Sequence, residues 1–267
     1  MPVPLLDASA WCEFRGIPAC DGANNTIHFA TIRDASGQLR SCFVKLLKPN
    51  TPALLCEAVG WVLTASVGVP VPGFGAVVLV PVEQLRKNMA LPNWTNGLNM
   101  CAAWCCEIVA GKSVKQVHKW AFWLSRKGCL RSQDVRFMAA FDVWTDNRDR
   151  NFGNLIRSSN GIYVAKDHET LLHDILWLSM GVSYTSRSLL DEAQQHLSSE
   201  ELKAFHSAMA VSADTHQRAL SSVQASLSTF INVLSPDAAP ELAQGIMGYL
   251  TYRANPGWLA QKLGVIA

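Results

Sequence analysis

Residues 146–154 read DNRDRNFGN, with two acids, two arginines and three asparagines in nine positions. Apolar stretches flank this cluster, FMAAFDVW before it and LIRSSNGIYVAKDHET after it. A polar loop held between two packed elements is positioned rather than loose. The downstream stretch NLIRS–SNG–IYVAKD reads as two short strands joined by a tight Asn-Gly turn. A hairpin brings its outer ends together, so Asn154, at its start, and Asp167, at its end, should be neighbours. One amide oxygen and one carboxylate can hold a hard cation such as Mg²⁺. Asp149, in the loop, would face them and accept a proton from an incoming hydroxyl, a combination that suits phosphoryl transfer.

The 267 residues exceed one typical domain and fall short of two full ones, which fits a two-lobed unit. With 49% of residues hydrophobic, a real core is available. A net charge of +2 gives no electrostatic case for nucleic acid or an anionic membrane. The N-terminal MPVPLLDASAWCEF lacks a basic stretch followed by an apolar run, so no secretory signal is expected. The 8 cysteines form no C-x-x-C pair and no zinc spacing. Reduced, buried thiols and a cytoplasmic location are the expectation. No charged residue occurs from Ala58 to Val82, a length that could cross a bilayer. Gly68, Pro70, Pro72, Gly73 and Gly75 would break such a span, and helix, turn and buried strand is the better parse.

Up to about residue 85 the pattern is strand and turn with a single helix. TIHFATIRD and LRSCFVKLLK read as strands around a Ser36-Gly37 turn. Thr51 as N-cap and Pro52 start a helix that Gly68 ends, and GAVVLVPV reads as a buried strand. A linker is expected near 83–98. Beyond it the chain reads as helical: NMCAAWCCEIVAG, VKQVHKWAFWLSRKG, SQDVRFMAAFDVWTD and four further segments from Ser188 onward. Trp104, Trp120, Trp123, Trp144 and Trp177 are expected in the core of this second part. The fold class is therefore α+β, with a small β-rich lobe over residues 1–85 and a larger helical lobe over 86–267.

NRDRNFGN with AKDHE downstream resembles the catalytic loop and metal-binding segment of the protein-kinase-like superfamily. The Asp149-to-Asn154 spacing is that of R-D-x-x-x-x-N, and DHE stands where most kinases have D-F-G. D-R-N-x-x-N is similar to forms found in phosphoinositide kinases and HipA-like kinases. In the first lobe, SCFVKLLKPN followed by LLCEAVGWVLTASVGVPVPGFGAVVLV is similar to the HipA-like order of strand lysine, helix glutamate and G-x-P-x-P. The tail IMGYLTYRANPGWLAQKL resembles the closing helices of compact HipA-like kinases, so the resemblance spans residues 12–260.

That resemblance implies a bilobal protein-kinase-like fold, ATP and Mg²⁺ as cofactors, and a role for each matched residue. Lys45 would contact the nucleotide phosphates and Glu57 would pair with it, with Lys48 as the rival lysine. Asp149 would be the catalytic carboxylate, and Asn154 and Asp167 the metal ligands. Gly22, Ala23, Asn24 and Asn25, within DGANN, would cover the phosphates, although one glycine replaces the usual several. Val82, Glu83, Gln84 and Leu85 would offer backbone groups to adenine. His168 and Glu169 in place of Phe-Gly leave metal binding by Asp167 intact. They put in doubt any regulation by a mobile Phe. Asn151 replaces the commoner His. Arg148 and Arg150 read as structural or phosphate-facing, and His168 and His173 as lining the site. The implied reaction is transfer of the ATP γ-phosphate to a protein serine or threonine. Some relatives are toxins that modify aminoacyl-tRNA synthetases, and the resemblance leaves a translation-related substrate and an antitoxin partner open. A small-molecule or lipid kinase and a pseudokinase scaffold are the two rival readings.

Overall fold

The computed structural model describes residues 3–18, 26–116 and 122–265. The first strands are β1 (Leu5–Leu6), β2 (Trp11–Gly16), β3 (Ile27–Arg33) and β4 (Leu39–Leu46). The β3–β4 turn forms where Ser36-Gly37 predicts it. Asp34 Oδ1 accepts from the Ser36 and Gln38 N–H groups, and Gly37 supplies a φ of 87°. Helix α1 (Ala53–Ser66) follows, then β5 (Gly75–Pro81). Its first hydrogen bond runs from Cys56 N to Pro52 O. The Thr51 hydroxyl donates back to Lys48 O instead of capping the helix, so the cap lies one residue later than the sequence suggests. Helix and strand are separated at the Gly/Pro cluster, and among the described residues no helix is long and apolar enough to cross a membrane.

Next come α2 (Val82–Arg86) and β6 (Met100–Glu107). NMCAAWCCEIVAG, expected as helix, is thus a strand, and a central one. In the six-stranded sheet, ordered β1-β5-β6-β4-β3-β2, β6 pairs with β5 on one side and β4 on the other. An uncharged Ala/Cys/Trp run carries no clear period, and pairing on both edges overrode its helix propensity. The expected linker contains a helical turn for the same reason: Val82 and Leu85 are fully buried in the core under this sheet. That core takes Ile32, Val44, Leu46, Val78, Val80, Ala103 and Cys105 from alternate strand positions.

Consequently the first compact unit comprises Met1–Ala58 and Pro72–Ile108, and the second Val59–Val71 and Val109–Ala267. The boundary falls at Ile108 and not at residue 85, because β6 completes the sheet. The second unit holds β7 (Gly111–Ser113), α3 (Phe122–Arg131) and α4 (Gln133–Thr145). The hairpin β8 (Leu155–Ser158) and β9 (Tyr163–Ala165) follows, with α5 (His173–Leu176) after it. The remaining helices are α6 (Leu189–His196), α7 (Ser199–Ala213), α8 (His216–Leu234), α9 (Ala239–Arg253) and α10 (Trp258–Leu263). Strands β7, β8 and β9 form a small sheet in that order. Val135, Met138 and Ala139 of α4 pack with Phe152 and Leu155 beyond the polar loop, and with Phe205 and Met209 of α7. Each large apolar side chain so buried contributes roughly 1.5–3 kcal/mol.

The end of α4 is tied to α9. Trp144 Nε1 donates to Leu250 O at 2.9 Å, and Arg253 donates to Val143 O at 3.0 Å. The Arg253 guanidinium lies against the Tyr249 ring at 4.1 Å and the Trp258 ring at 5.3 Å. Trp144 and Trp177 are buried as expected. Trp104 belongs to β6 and the first unit, Trp123 is exposed beneath Lys127, and Trp120 lies outside the described residues.

Two buried histidines set an acid limit on stability. Burial pushes His28 down to about 4, with Trp11 Nε1 donating to its Nε2. Burial pushes His216, stacked on Trp144 with ring centroids 4.4 Å apart, down to about 3. In the unfolded chain each takes a proton near pH 6.5, whereas in the fold each stays neutral until far lower pH. Stability is therefore full above pH 6.5 and falls steadily as pH drops toward 4. The loss is on the order of 3 kcal/mol per histidine. Urea midpoints measured at pH 7 and pH 5 should drop accordingly, and the drop should shrink in His216→Phe.

Candidate active site

The first unit contributes an ion pair. Lys45 sits on β4 between Ile27 of β3 and Trp104 of β6. Val44 and Leu46 turn into the core, so Lys45 projects from the other face. Its Nζ lies 3.3 Å from Oε1 of Glu57 on α1. Glu57 is 1% exposed, and a carboxylate that deep needs a cation beside it. Lys48, the rival, is exposed in the turn after β4. Val82 and Leu85 point into the sheet core, and the Val82 N–H is already donated to Asn99 O at 3.0 Å. Of the four residues expected to face adenine, Val82 thus has no free N–H to offer, while Glu83 and Gln84 lie in the first turn of α2. Gly22, Ala23, Asn24 and Asn25 lie outside the described residues.

The second unit carries the polar loop. Helix α4 ends at Asp146, whose left-handed φ of 53° turns the chain out of the helix. Every polar side chain that follows has a task. Asn147 donates to Asp142 Oδ1 at 2.9 Å and accepts from the Thr170 hydroxyl at 2.8 Å. Arg148 pairs with Asp146 at 2.9 Å and Asp174 at 3.0 Å, closing one wall of a cavity of about 280 Å³. Asp149 forms an isolated parallel bridge with Arg187: Arg187 N donates to Arg148 O, and Arg150 N to Arg187 O, each at 2.8 Å. One Asp149 carboxylate oxygen accepts from Asn151 Nδ2 at 2.7 Å. Among the described residues the Asp149 carboxylate makes no ion pair and keeps lone pairs for another donor.

Arg150 is fully buried and organises the rest. Its Nε lies 3.1 Å from Oδ2 of Asp142, itself 3% exposed. Burial pushes the Asp142 carboxyl up, against the pull of Arg150 and Asn147. One terminal nitrogen donates to the carbonyls of Lys166 and Asp167, and the other meets His168 Nδ1 at 2.9 Å. A single guanidinium therefore fixes both the loop bearing Asp149 and the strand end bearing Asp167.

The hairpin does what its register requires. Leu155 pairs with Ala165, and one step outward Lys166 N donates to Asn154 O at 3.2 Å, so the backbones of Asn154 and Asp167 are adjacent. The Asn151 side chain accepts from Gly153 N and caps the short turn that delivers Asn154. Asn154 Nδ2 donates to Asp149 O at 2.8 Å, which leaves its Oδ1 as the outward acceptor. Asp167 holds a φ of 67°, unusual for a residue with a side chain. Oxygens of the Asp167 and Glu169 carboxylates lie within 4.8 Å of one another. This donor set of an amide oxygen and carboxylates, with no sulfur or imidazole, fits Mg²⁺.

His168 is 2% exposed and belongs to the packing, edge-on to Phe141 with ring centroids 6.0 Å apart. It rests on Gly60, where a Cβ would lie 2.4 Å from His168 Cβ. Ala in a helix is favoured over Gly by about 1 kcal/mol. Here the clash involves a Cβ that cannot swing away, and overpacking costs about 1–3 kcal/mol or more. Gly60→Ala should therefore lower the melting temperature instead of raising it, as a thermal melt would show. His173 is likewise buried, accepting from Tyr184 N at 3.1 Å.

Sequence reasoning missed Asp142, the anchoring role of Arg150 and the proximity of Glu169 to Asp167. Asp142 lies among apolar helix positions, where a lone acid is a signal in itself, since it must find a cation.

The chain is similar to the MAP kinase LmaMPK10 from Leishmania major, at 10% identity and a TM-score of 0.35, covering 94% of this chain and 81% of that one. No curated protein matches it. A family model described as HipA-like kinase matches residues 36–237, about three quarters of the sequence and the whole of the loop and hairpin just described, and the chain belongs to that family.

Proposed function

We propose that this kinase transfers the γ-phosphate of ATP, with Mg²⁺, to a serine or threonine hydroxyl of a protein. The observation that carries the reading is the hairpin register, which sets Asn154 beside the strand end bearing Asp167 while Asn154 itself clasps the Asp149 backbone. Asp149 is the group that accepts the proton of the attacking hydroxyl, with its backbone held on both sides by Arg187. Lys45, steadied by Glu57, is a fixed cation for nucleotide phosphates. Asn154 and Asp167 would hold Mg²⁺. When bound, that ion neutralises charge on the phosphates. The positions of Asp149 and Asn154 are set by hydrogen bonds within their own loop, so little reorganisation is needed at the moment of reaction.

A protein acceptor is supported by family membership, and a translation-related substrate or a cognate inhibitory partner belongs to the same reading. The test is incubation of the protein with γ-labelled ATP and Mg²⁺ in the presence of cell lysate or of lipid vesicles, followed by mapping of labelled sites. Label on protein serine or threonine is the expected result. Label on lipid or a small molecule would replace the acceptor class, and no label at all would turn the chain into a scaffold.

A further inference from the structure

The segment after Asp167 carries a second carboxylate that the family pattern of catalytic residues does not use. We propose that Glu169 is a third oxygen ligand of the divalent cation held by Asn154 and Asp167. The inference rests on the phosphotransferase reading above and adds a residue to it. Glu169 and Asp167 flank His168, whose side chain is committed to Phe141, Gly60 and Arg150. With His168 turned into the packing, the two acids bring carboxylate oxygens within 4.8 Å of each other, a spacing that one divalent ion can bridge.

Asn154 supplies an independent observation. It is 9% exposed, and its Nδ2 is used by Asp149 O. Among the described residues its Oδ1 accepts no hydrogen bond. That oxygen keeps contact with solvent and is open to a ligand. The hairpin sets that residue against Lys166, directly before Asp167. The set is then one amide oxygen and two carboxylates, all hard donors, which leaves room in a six-coordinate shell for water and phosphate oxygens. A glycine, as in D-F-G, could add no ligand at this position. This chain would hold its cation with one more negative charge, and so more tightly in the absence of nucleotide.

The test uses the full chain and Mn²⁺ as the probe, with free Mn²⁺ followed by its paramagnetic resonance signal, with and without ADP. Wild type should bind. Glu169→Gln and Glu169→Ala should each weaken binding by roughly 10- to 100-fold, since losing even an outer-shell partner of a metal ligand costs that much. Asp167→Asn should weaken it at least as far. Thermal melts of the metal-free variants should show that they are folded. Binding unchanged in both Glu169 variants but lost in Asp167→Asn would remove Glu169 and leave the kinase reading standing. Binding unchanged in Asp167→Asn as well, or absent from wild type, would overturn both.

Discussion

Arg150→Met should destabilise the protein by about 3–5 kcal/mol, because it strands Asp142 as an uncompensated charge in the interior. Both members of this pair are almost wholly buried, and Arg150 also satisfies two carbonyls and a histidine. Denaturant unfolding followed by tryptophan fluorescence would read the loss. A second substitution separates charge from position. In Arg150→Met/Asp142→Leu no buried charge remains, and exchanging a buried pair for apolar residues is often neutral or better. Much of the stability should return. Phosphoryl transfer should not, since the carbonyls of Lys166 and Asp167 would still lack the guanidinium that fixes them relative to Asp149. Recovery of activity together with stability would reduce Arg150 to a structural residue. Persistent loss of stability in the double variant would mean that the backbone bonds outweigh the ion pair.

Asp149→Asn should lower the rate of phosphoryl transfer by about 10²–10⁴-fold, the range for losing a positioned general base. The amide is nearly isosteric, and its oxygen can still accept from Asn151, so the fold should be preserved. Nucleotide binding should change little, because Asp149 is not among the residues assigned to hold ATP or the cation. The separation matters: a fall in kcat with an unaltered ATP KM identifies a residue that acts on the acceptor. A matching rise in KM would instead place Asp149 on the nucleotide. Retained activity would displace the catalytic carboxylate to another acid of the loop.

Some of this architecture was open to reading before any coordinates. Asp149, Asn154 and Asp167 announced themselves because a hairpin fixes spacing in space from spacing in sequence, and Asn160-Gly161 marks the turn without ambiguity. Lys45 and Glu57 could be paired on paper because a charge among apolar neighbours demands a counter-charge. Strand β6 could not be recognised, since Met-Cys-Ala-Ala-Trp-Cys-Cys has neither a period of 2 nor one of 3.6, and only its two pairing partners decide it. The placing of residues 86–108 in the first unit follows from that one strand. Arg150 and His168 were visible as residues but not as anchors. Their roles depend on Asp142, eight positions back, and on Gly60, which is far away in sequence, and no local pattern encodes either contact.

The clasp between α4 and α9 bears on how short this protein can be made. Homology to the family ends at residue 237, which invites trimming there. Yet the indole of Trp144, one residue before the last of α4, is satisfied by Leu250, and the guanidinium that covers Val143 O comes from Arg253. Removing the last two helices would uncover a tryptophan and two hydrogen-bonding groups immediately upstream of the polar loop. Expression of a minimal catalytic fragment should therefore retain the chain through Leu263, and a version cut at the end of the recognisable family region should be recovered as insoluble material.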